Sequence, residues 1–471
     1  MKTVSIFRQA VPLGLIYFAL ALLFLLRALV YAHTAPSISG DASSYLGKAS
    51  YISEKGVLPE LEVQPIGYPL ALSLLPKADK RHIADFAVRI QQAMDMIVVL
   101  VLTGVAFLIL WTRSQLAFLI ISAVILIQPF TGTMSSSLYT EQMVSFFTFF
   151  GFLCVVYGIV GDAKIWSLTL GGILIGIAST LRVDILLLNS VIVVLVIAYI
   201  VAQREKRIAL KISGLFVSLC LVPALVLVMQ YASTGEASFI KKEFYCPGYM
   251  SWLRTWRADR VDYANFAFFS NWQGGDIQAY PEKAFADDLE KKQVSDLLSD
   301  WRQAGYSDQL DKEFTKIAEQ KRSQYPIRYF LINPLFRMTH FWVNLDGGQF
   351  FIVPFTLKRP ISTGVVGLAL TLRIFLLTMF AFGVVELLRS FRTREDESQR
   401  WLSVLGVLSV LYVFGRTVEL GLAGISSWGG LMEVRFVIVA FPFLIYVCIW
   451  GVRSLVNEKA GSAGQVPAIN H

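Results

Sequence analysis

Two acidic residues stand where polar loops meet apolar segments, and a carboxylate there can exchange a proton. Asp41 follows the first apolar run, and Glu141 opens a later one. Partial desolvation at such a boundary favours proton uptake, which suits a general base. Either acid also fits the first turn of a helix, where its charge meets the helix dipole favourably. For Asp41, catalysis and helix capping are even alternatives. For Glu141, the functional interpretation is that it faces Asp41 across a cavity and orients an acceptor or a cationic partner.

Two arginines lie where charge is costly, close to apolar runs. Arg182, with Asp184, interrupts an otherwise continuous apolar stretch, and Arg435 follows Glu433 at the start of the last one. Charges at that depth usually face a partner or a water-filled cavity. Each arginine therefore either pairs with its neighbouring acid or binds a phosphate through its planar fork.

Aromatic and basic side chains near these positions complete the candidate site. Tyr45, Tyr68 and Trp428 fit contacts with sugar rings, although aromatic residues at a membrane interface commonly form a belt. Lys48 adds a cation near Asp41, and His33 lies at the end of the first apolar run. No Cys or His pair has zinc-ligand spacing, so the sequence indicates no metal site and no cofactor, and dependence on a divalent metal stays open.

The composition identifies the elements that must position these residues as membrane helices. The chain has 471 residues, of which 55% are hydrophobic and only 16% are charged, and its mean hydropathy is +0.58. Soluble domains carry about 25% charged residues. The net charge of +8 fits basic cytoplasmic loops facing anionic lipid, and no basic-aromatic module indicates nucleic-acid binding.

Hydropathy predicts about ten spans of roughly 20 residues. They are 11–32, 92–111, 115–132, 142–161, 165–182, 184–202, 210–231, 361–388, 401–421 and 434–452. Arginine and lysine cluster in alternate short connections, which places the N-terminus and those connections in the cytoplasm.

The long segments 33–91 and 232–360 then lie outside. The chain divides into a catalytic core at 1–231, a loop or cap at 232–360, and C-terminal helices with a short cytoplasmic tail at 361–471. We expect helices over 283–300 and 308–324 and an amphipathic return to the membrane at 325–343. The cap is expected to be a modest addition rather than an independent enzyme domain.

Four groups of residues carry a resemblance to a known family. They are 40–45 with 65–69, 139–141, 171–182, and 433–436 with 440–444. In that order they resemble the GT-C superfamily of membrane glycosyltransferases, in particular the branch of protein mannosyltransferases and aminoarabinose transferases. The resemblance implies a GT-C-type helical bundle with two long extracytoplasmic loops. Many relatives carry two adjacent acids in the first loop, whereas Ala42 follows Asp41 here.

The resemblance also implies a reaction at the outer face of the membrane, for which we expect a bacterial inner membrane. One sugar leaves a polyprenyl-phosphate carrier for a glycan, lipid or protein acceptor, with Asp41 as the general base. A single displacement inverts the anomeric centre, while Arg182, Arg435 and Lys48 offset the phosphate charge.

Two other functions stay open from the sequence. A polymerase or ligase of lipid-linked oligosaccharides would use several arginines in a large outer loop, and 232–360 contains them. A transporter or flippase would show internal repeats and broken helices at mid-membrane. No repeat is found, and the candidate polar residues cluster at one edge of the membrane.

Overall fold

The computed structural model describes residues 12–36, 38, 41–60, 64–75, 80–128, 131, 135–160, 165–202, 208–239, 246–256, 277–343, 363–392, 400–423 and 438–463. The protein is all-helical over these ranges, as predicted. Seven helices there are long and apolar enough to cross a membrane, which agrees with a polytopic membrane protein. Three shorter apolar helices, Gln115–Ile127, Ile165–Leu181 and Phe441–Asn457, coincide with other predicted spans.

The chain up to residue 234 supplies the following helices: α1 (Leu13–His33), α2 (Asp41–Lys55), α3 (Gly67–Ser73), α4 (Lys80–Leu110), α5 (Gln115–Ile127), α6 (Glu141–Val160), α7 (Ile165–Leu181), α8 (Leu186–Ala202) and α9 (Ile208–Thr234). A 3₁₀ turn, Val183–Ile185, joins α7 to α8. Helix α4 starts at Lys80 rather than at residue 92, because its first turns are polar and hydropathy does not register them.

The remainder of the chain supplies a second set of helices: α10 (Pro247–Trp256), α11 (Asp288–Ala304), α12 (Asp308–Gln324), α13 (Asn333–Val343), α14 (Thr363–Arg392), α15 (Arg400–Ala423) and α16 (Phe441–Ala463). Helix α12 coincides with the predicted patch 308–324. Helix α11 starts five residues later than the predicted patch 283–300, because Asp287 caps it. A π-helical turn, Arg328–Ile332, leads directly into α13.

Helix α16 forms the axis of the membrane bundle. Its side chains from Phe443 to Trp450 are almost fully buried, and the Phe443 ring stacks on Tyr412 of α15 at 4.3 Å. Against α14 the backbones approach so closely that a Cβ on Gly383 would overlap the carbonyl oxygen of Val447. Small residues permit such close packing between membrane helices.

The two ends of the bundle carry different sets of connections. At one end Arg113 donates to the Asn457 side chain at 2.7 Å, and Asn457 donates to Glu386 at 3.0 Å. Arg113 belongs to a connection predicted to be cytoplasmic. The opposite end carries α2 and α3 with the first residues of α4 and α6, and we call it the Asp41 face.

Helices α10 to α12, with residues 277–287, form a separate hydrophobic core that we call the cap. Trp252, Tyr249 and Phe314 lie at its centre. Helix α13 fixes the cap to the bundle, because buried Arg337 donates to the carbonyl oxygen of Arg254 at 2.6 Å and to that of Gly421, at the end of α15, at 3.1 Å. Arg416, near the same end of α15, bonds to Asp184 just after α7, and the end of α7 contacts α3. The cap therefore sits on the Asp41 face.

Candidate functional site

Asp41 is the first residue of α2. The helix ends at Lys55, and Gly56 follows with φ of +71°. That left-handed conformation favours glycine and ends helices. The predicted helix from Asp41 to Gly56 is therefore confirmed, and its first turn holds a carboxylate where the helix dipole stabilises one.

One face of α2 carries Asp41, Tyr45 and Lys48. Spacings of four and seven residues bring side chains to the same side of a helix. Tyr45 and Lys48 are buried, whereas Asp41 is only half-buried. Gln64 donates a hydrogen bond to Asp41 Oδ1 at 2.9 Å. The carboxylate is thus oriented by a neighbour, and the residue as a whole stays partly exposed.

Helix α3 packs between α2 and α7. Tyr68 is fully buried, and its ring meets Tyr45 edge-on at 4.9 Å. A Cβ on Gly67 would overlap the carbonyl oxygen of Thr180 near the end of α7. Because Tyr68 is buried, it positions α3 against α2 in this structure and offers no open ring face to a sugar.

The phenol of Tyr68 stays neutral. Burial raises the pKa of Tyr68, and the negative charge of Glu141 raises it further. The hydrogen bond from Gln91 lowers the pKa in part. Gln91 Nε2 lies 2.7 Å from Tyr68 Oη and 2.9 Å from the carbonyl oxygen of Tyr139. Gln91 of α4 therefore ties α3 to the segment that leads into α6. Sequence reasoning missed Gln91. The sequence signal is the pair of amides, Gln91-Gln92, directly before an apolar run, and the structure buries both.

Glu141 is the first residue of α6 and is almost fully buried. The α6 ladder begins with the bond from Val144 N to the Thr140 carbonyl oxygen, which places Glu141 in the first turn as predicted. Arg182 Nη1 donates to Glu141 Oε1 at 2.6 Å. In the structure Glu141 thus has a cationic partner. Its charge also acts on Tyr68, whose ring contacts Tyr45 of the helix that bears Asp41.

A buried network of charges continues from Glu141. Arg182 donates to both carboxylate oxygens of Asp184, through Nε at 2.9 Å and through Nη2 at 2.8 Å. Arg416 of α15 donates to Asp184 and to Glu419, each at 2.7 Å. We call Glu141, Arg182, Asp184, Arg416 and Glu419 the charge cluster. It joins α6, α15 and the turn between α7 and α8, and it contains three carboxylates for two guanidinium groups.

The charge cluster bears on both interpretations of Arg182. The local pair with Asp184 is present, and the arginine fork is engaged with carboxylates. A lipid phosphate would therefore have to compete with Asp184 or bind through other N–H groups of Arg182. Arg416 and Glu419 were missed from the sequence. Their signal is a pair of charges three residues apart inside the predicted span 401–421, which is rare unless the charges have partners.

The other predicted site residues are less informative. His33 is exposed at the end of α1, where Nδ1 lies 2.9 Å from the Leu29 carbonyl oxygen. Arg435 and Trp428 lie outside the described residues. Within the described ranges no group of three or more His, Cys, Asp or Glu side chains is arranged to hold a metal ion.

A second buried ion pair holds α1. Arg27 donates to Asp95 of α4 through Nε at 2.9 Å and Nη2 at 2.7 Å, and to the carbonyl oxygens of Leu126 and Gln128 at 2.8 and 3.0 Å. In α1 the buried residues are few, and Arg27 is one of them. This pair therefore explains why a charge interrupts the first span, and its contacts are structural.

Comparisons of the chain with protein-family models, with curated proteins and with solved structures give no significant match.

Proposed function

We propose that the protein is a membrane glycosyltransferase of the GT-C type that moves one sugar from a polyprenyl-phosphate carrier to a glycan, lipid or protein acceptor. The Asp41 face is the outer side of a bacterial cytoplasmic membrane in this proposal. The main support is the setting of Asp41. It is a half-buried carboxylate at a helix start, oriented by Gln64, at the end of a bundle of membrane helices.

In the proposed mechanism, Asp41 accepts the proton of an acceptor hydroxyl while that oxygen attacks the anomeric carbon. The bond from this carbon to the phosphate oxygen breaks, and the lipid phosphate leaves with the electron pair. The phosphate is a good leaving group, so no general acid is required. One displacement inverts the anomeric centre, and a positioned base contributes about 10²–10⁴-fold.

The neighbouring residues have supporting roles in this proposal. Gln64 orients Asp41, and the contact of Tyr45 with Tyr68 packs α3 against the helix that bears Asp41. Lys48, on the same face of α2, supplies positive potential. Arg182 orients Glu141 and Asp184 in this proposal. Because the charge cluster contains one carboxylate more than guanidinium groups, the stabilisation of an anionic leaving group is assigned to Lys48 and Arg435. Contact of Arg435 with the phosphate remains a prediction.

The arginines of segment 232–360 give the polymerase or ligase alternative less support than their number indicates. Arg337 is buried and donates to backbone carbonyl oxygens. Arg322 contacts Ser251 and lies over the Tyr329 ring, and Arg302 donates within its own helix. Arg337 and Arg322 thus have structural partners, whereas Arg302 is exposed and bonds only within its own helix. Release of sugar from defined carriers separates the two functions, since a polymerase or ligase requires a diphosphate-linked glycan.

A further inference from the structure

An apolar strip runs along the segment that connects the cap to the bundle. Ile327, Phe330, Leu331, Leu335 and Phe336 are exposed there, with Ile327 68% exposed and Phe330 62% exposed. Large apolar side chains this exposed and contiguous mark a surface that meets something other than water. The sequence predicted an amphipathic return to the membrane over these residues.

The strip is continuous with the membrane bundle. On the opposite side of the same segment, Asn333 donates to the Thr255 carbonyl oxygen of the cap at 3.0 Å. A Cβ on Gly421, at the end of the candidate span α15, would meet Met338 of α13. The apolar strip therefore starts where a membrane span ends, and we place it in the lipid of the leaflet on the Asp41 face.

A cavity of about 120 Å³ opens between the cap and this segment. A water molecule needs roughly 10–15 Å³ on the same scale, so the cavity accommodates a group of several non-hydrogen atoms. Its lining combines three cations, Lys283, Lys321 and Arg328, with four aromatic residues. Trp256 forms part of the wall, and Arg328 opens the π-helical turn within the apolar strip.

The cations of the cavity differ in their partners. Lys321 is buried and is held by Glu290 at 2.9 Å. Burial lowers the pKa of Lys321, Glu290 opposes this, and the positive charge of Arg328 lowers the pKa further. Lys283 and Arg328 are exposed. Within the described residues, Arg328 makes no side-chain hydrogen bond or ion pair, so its fork is available to an anion.

We propose that this cavity binds the phosphate group of an anionic lipid headgroup from the leaflet around the apolar strip. The strip sets the cavity at headgroup depth, where aromatic side chains are favoured. The arginine fork matches phosphate geometry. Binding fixes the height of the cap above the Asp41 face. The site is distinct from the charge cluster, and the inference does not depend on the proposed transferase activity.

Native mass spectrometry of the full-length protein in detergent tests this site with two lipids, phosphatidylglycerol and phosphatidylcholine. Both lipids carry a phosphate, but choline adds a positive charge that the three cations of the cavity repel. We therefore expect the wild type to retain phosphatidylglycerol preferentially. In the double variant Lys283→Gln/Arg328→Gln, the ratio of retained phosphatidylglycerol to phosphatidylcholine should fall about fivefold for each cation removed. The matched control is Lys312→Gln/Lys316→Gln, which removes two exposed charges from the same cap and keeps the wild-type preference.

Inorganic phosphate identifies the source of the bound group. We expect phosphatidylglycerol to stay bound when free phosphate is added, because the apolar strip contributes to lipid binding. Displacement of the lipid by phosphate would reassign the cavity to a soluble anion. Equal retention of the two lipids by the wild type, or an equal loss in the control variant, would overturn the proposal.

Discussion

Arg416 donates a 2.7 Å hydrogen bond to Asp184, a residue 232 positions earlier in the chain. The same carboxylate accepts from Arg182, which in turn donates to Glu141. One aspartate thus joins the end of α15 to the α7–α8 turn and to the start of α6. The charge cluster therefore holds these three elements together beside α3, which packs against the end of α7.

Replacing Arg416 by methionine should destabilise the protein by about 3–5 kcal/mol, because buried carboxylates lose their partner. Adding Glu419→Gln should recover part of this loss, since it removes one of the carboxylates left behind. Thermal unfolding in detergent measures both changes. Arg302→Met, at an exposed position of the cap, is the control and should stay within about 0.5 kcal/mol of wild type. If Arg416→Met is as stable as Arg302→Met, the charge cluster does not stabilise the protein.

Arg27→Met should also cost about 3–5 kcal/mol, because it leaves Asp95 buried without its cation. The double variant Arg27→Met/Asp95→Leu should return close to wild type, since an apolar pair of similar volume often replaces a buried ion pair without loss. Chemical unfolding in detergent gives the comparison. If the double variant is as unstable as the single one, the polar contacts themselves are needed to hold α1.

Gly67→Ala should destabilise the contact between α3 and α7 by about 1–3 kcal/mol, because the added methyl meets the backbone of Thr180. Turnover should fall with it, since α3 positions Tyr68 beside α2. Gly47→Ala in α2 is the matched control. Its new methyl has open space, and alanine favours a helix over glycine by roughly 0.5–1 kcal/mol. Unfolding and turnover assays on both variants test the contact, and an equal response in the two would refute it.

Tyr68→Phe should cost about 1 kcal/mol at neutral pH, because the bond to Gln91 is lost. Burial raises the pKa of Tyr68, so its contribution to stability is fully present below the unfolded pKa of about 10 and is lost as the pH rises above it. The stability difference between wild type and variant should therefore be constant below pH 10 and shift by up to about 1.4 kcal/mol per pH unit above it. Unfolding curves between pH 8 and pH 11 provide the measurement, and parallel curves would show that Tyr68 titrates normally.

Local sequence signals predicted the helices well because each helix is set by nearby residues. Asp41 and Gly56 bound α2 as expected, and Glu141 opens α6. The predicted helices of the cap were also found, since their apolar residues recur with helical spacing around caps such as Asp287 and Ser307.

The arrangement of these helices could not be predicted from hydropathy. Helix α16 is the buried axis, whereas α1 is mostly exposed, yet both are strongly apolar. A side chain that faces lipid and one that faces protein have similar composition, so the pattern does not distinguish them. The full set of charges around Arg182 could not be predicted either. Arg416, which shares Asp184 with Arg182, is remote in sequence, and only the packing of α15 brings it close.

The central claim concerns Asp41. The most direct test follows sugar release from a panel of radiolabelled polyprenyl-phosphate monosaccharides by purified protein in nanodiscs. Wild type, Asp41→Asn and the control Glu54→Gln, which changes an exposed acid at the end of the same helix, are compared. We predict release by the wild type and the control, and a loss of about 10²–10⁴-fold in Asp41→Asn without unfolding. Near-normal release by Asp41→Asn, or no release from any carrier by folded wild type, would contradict the account.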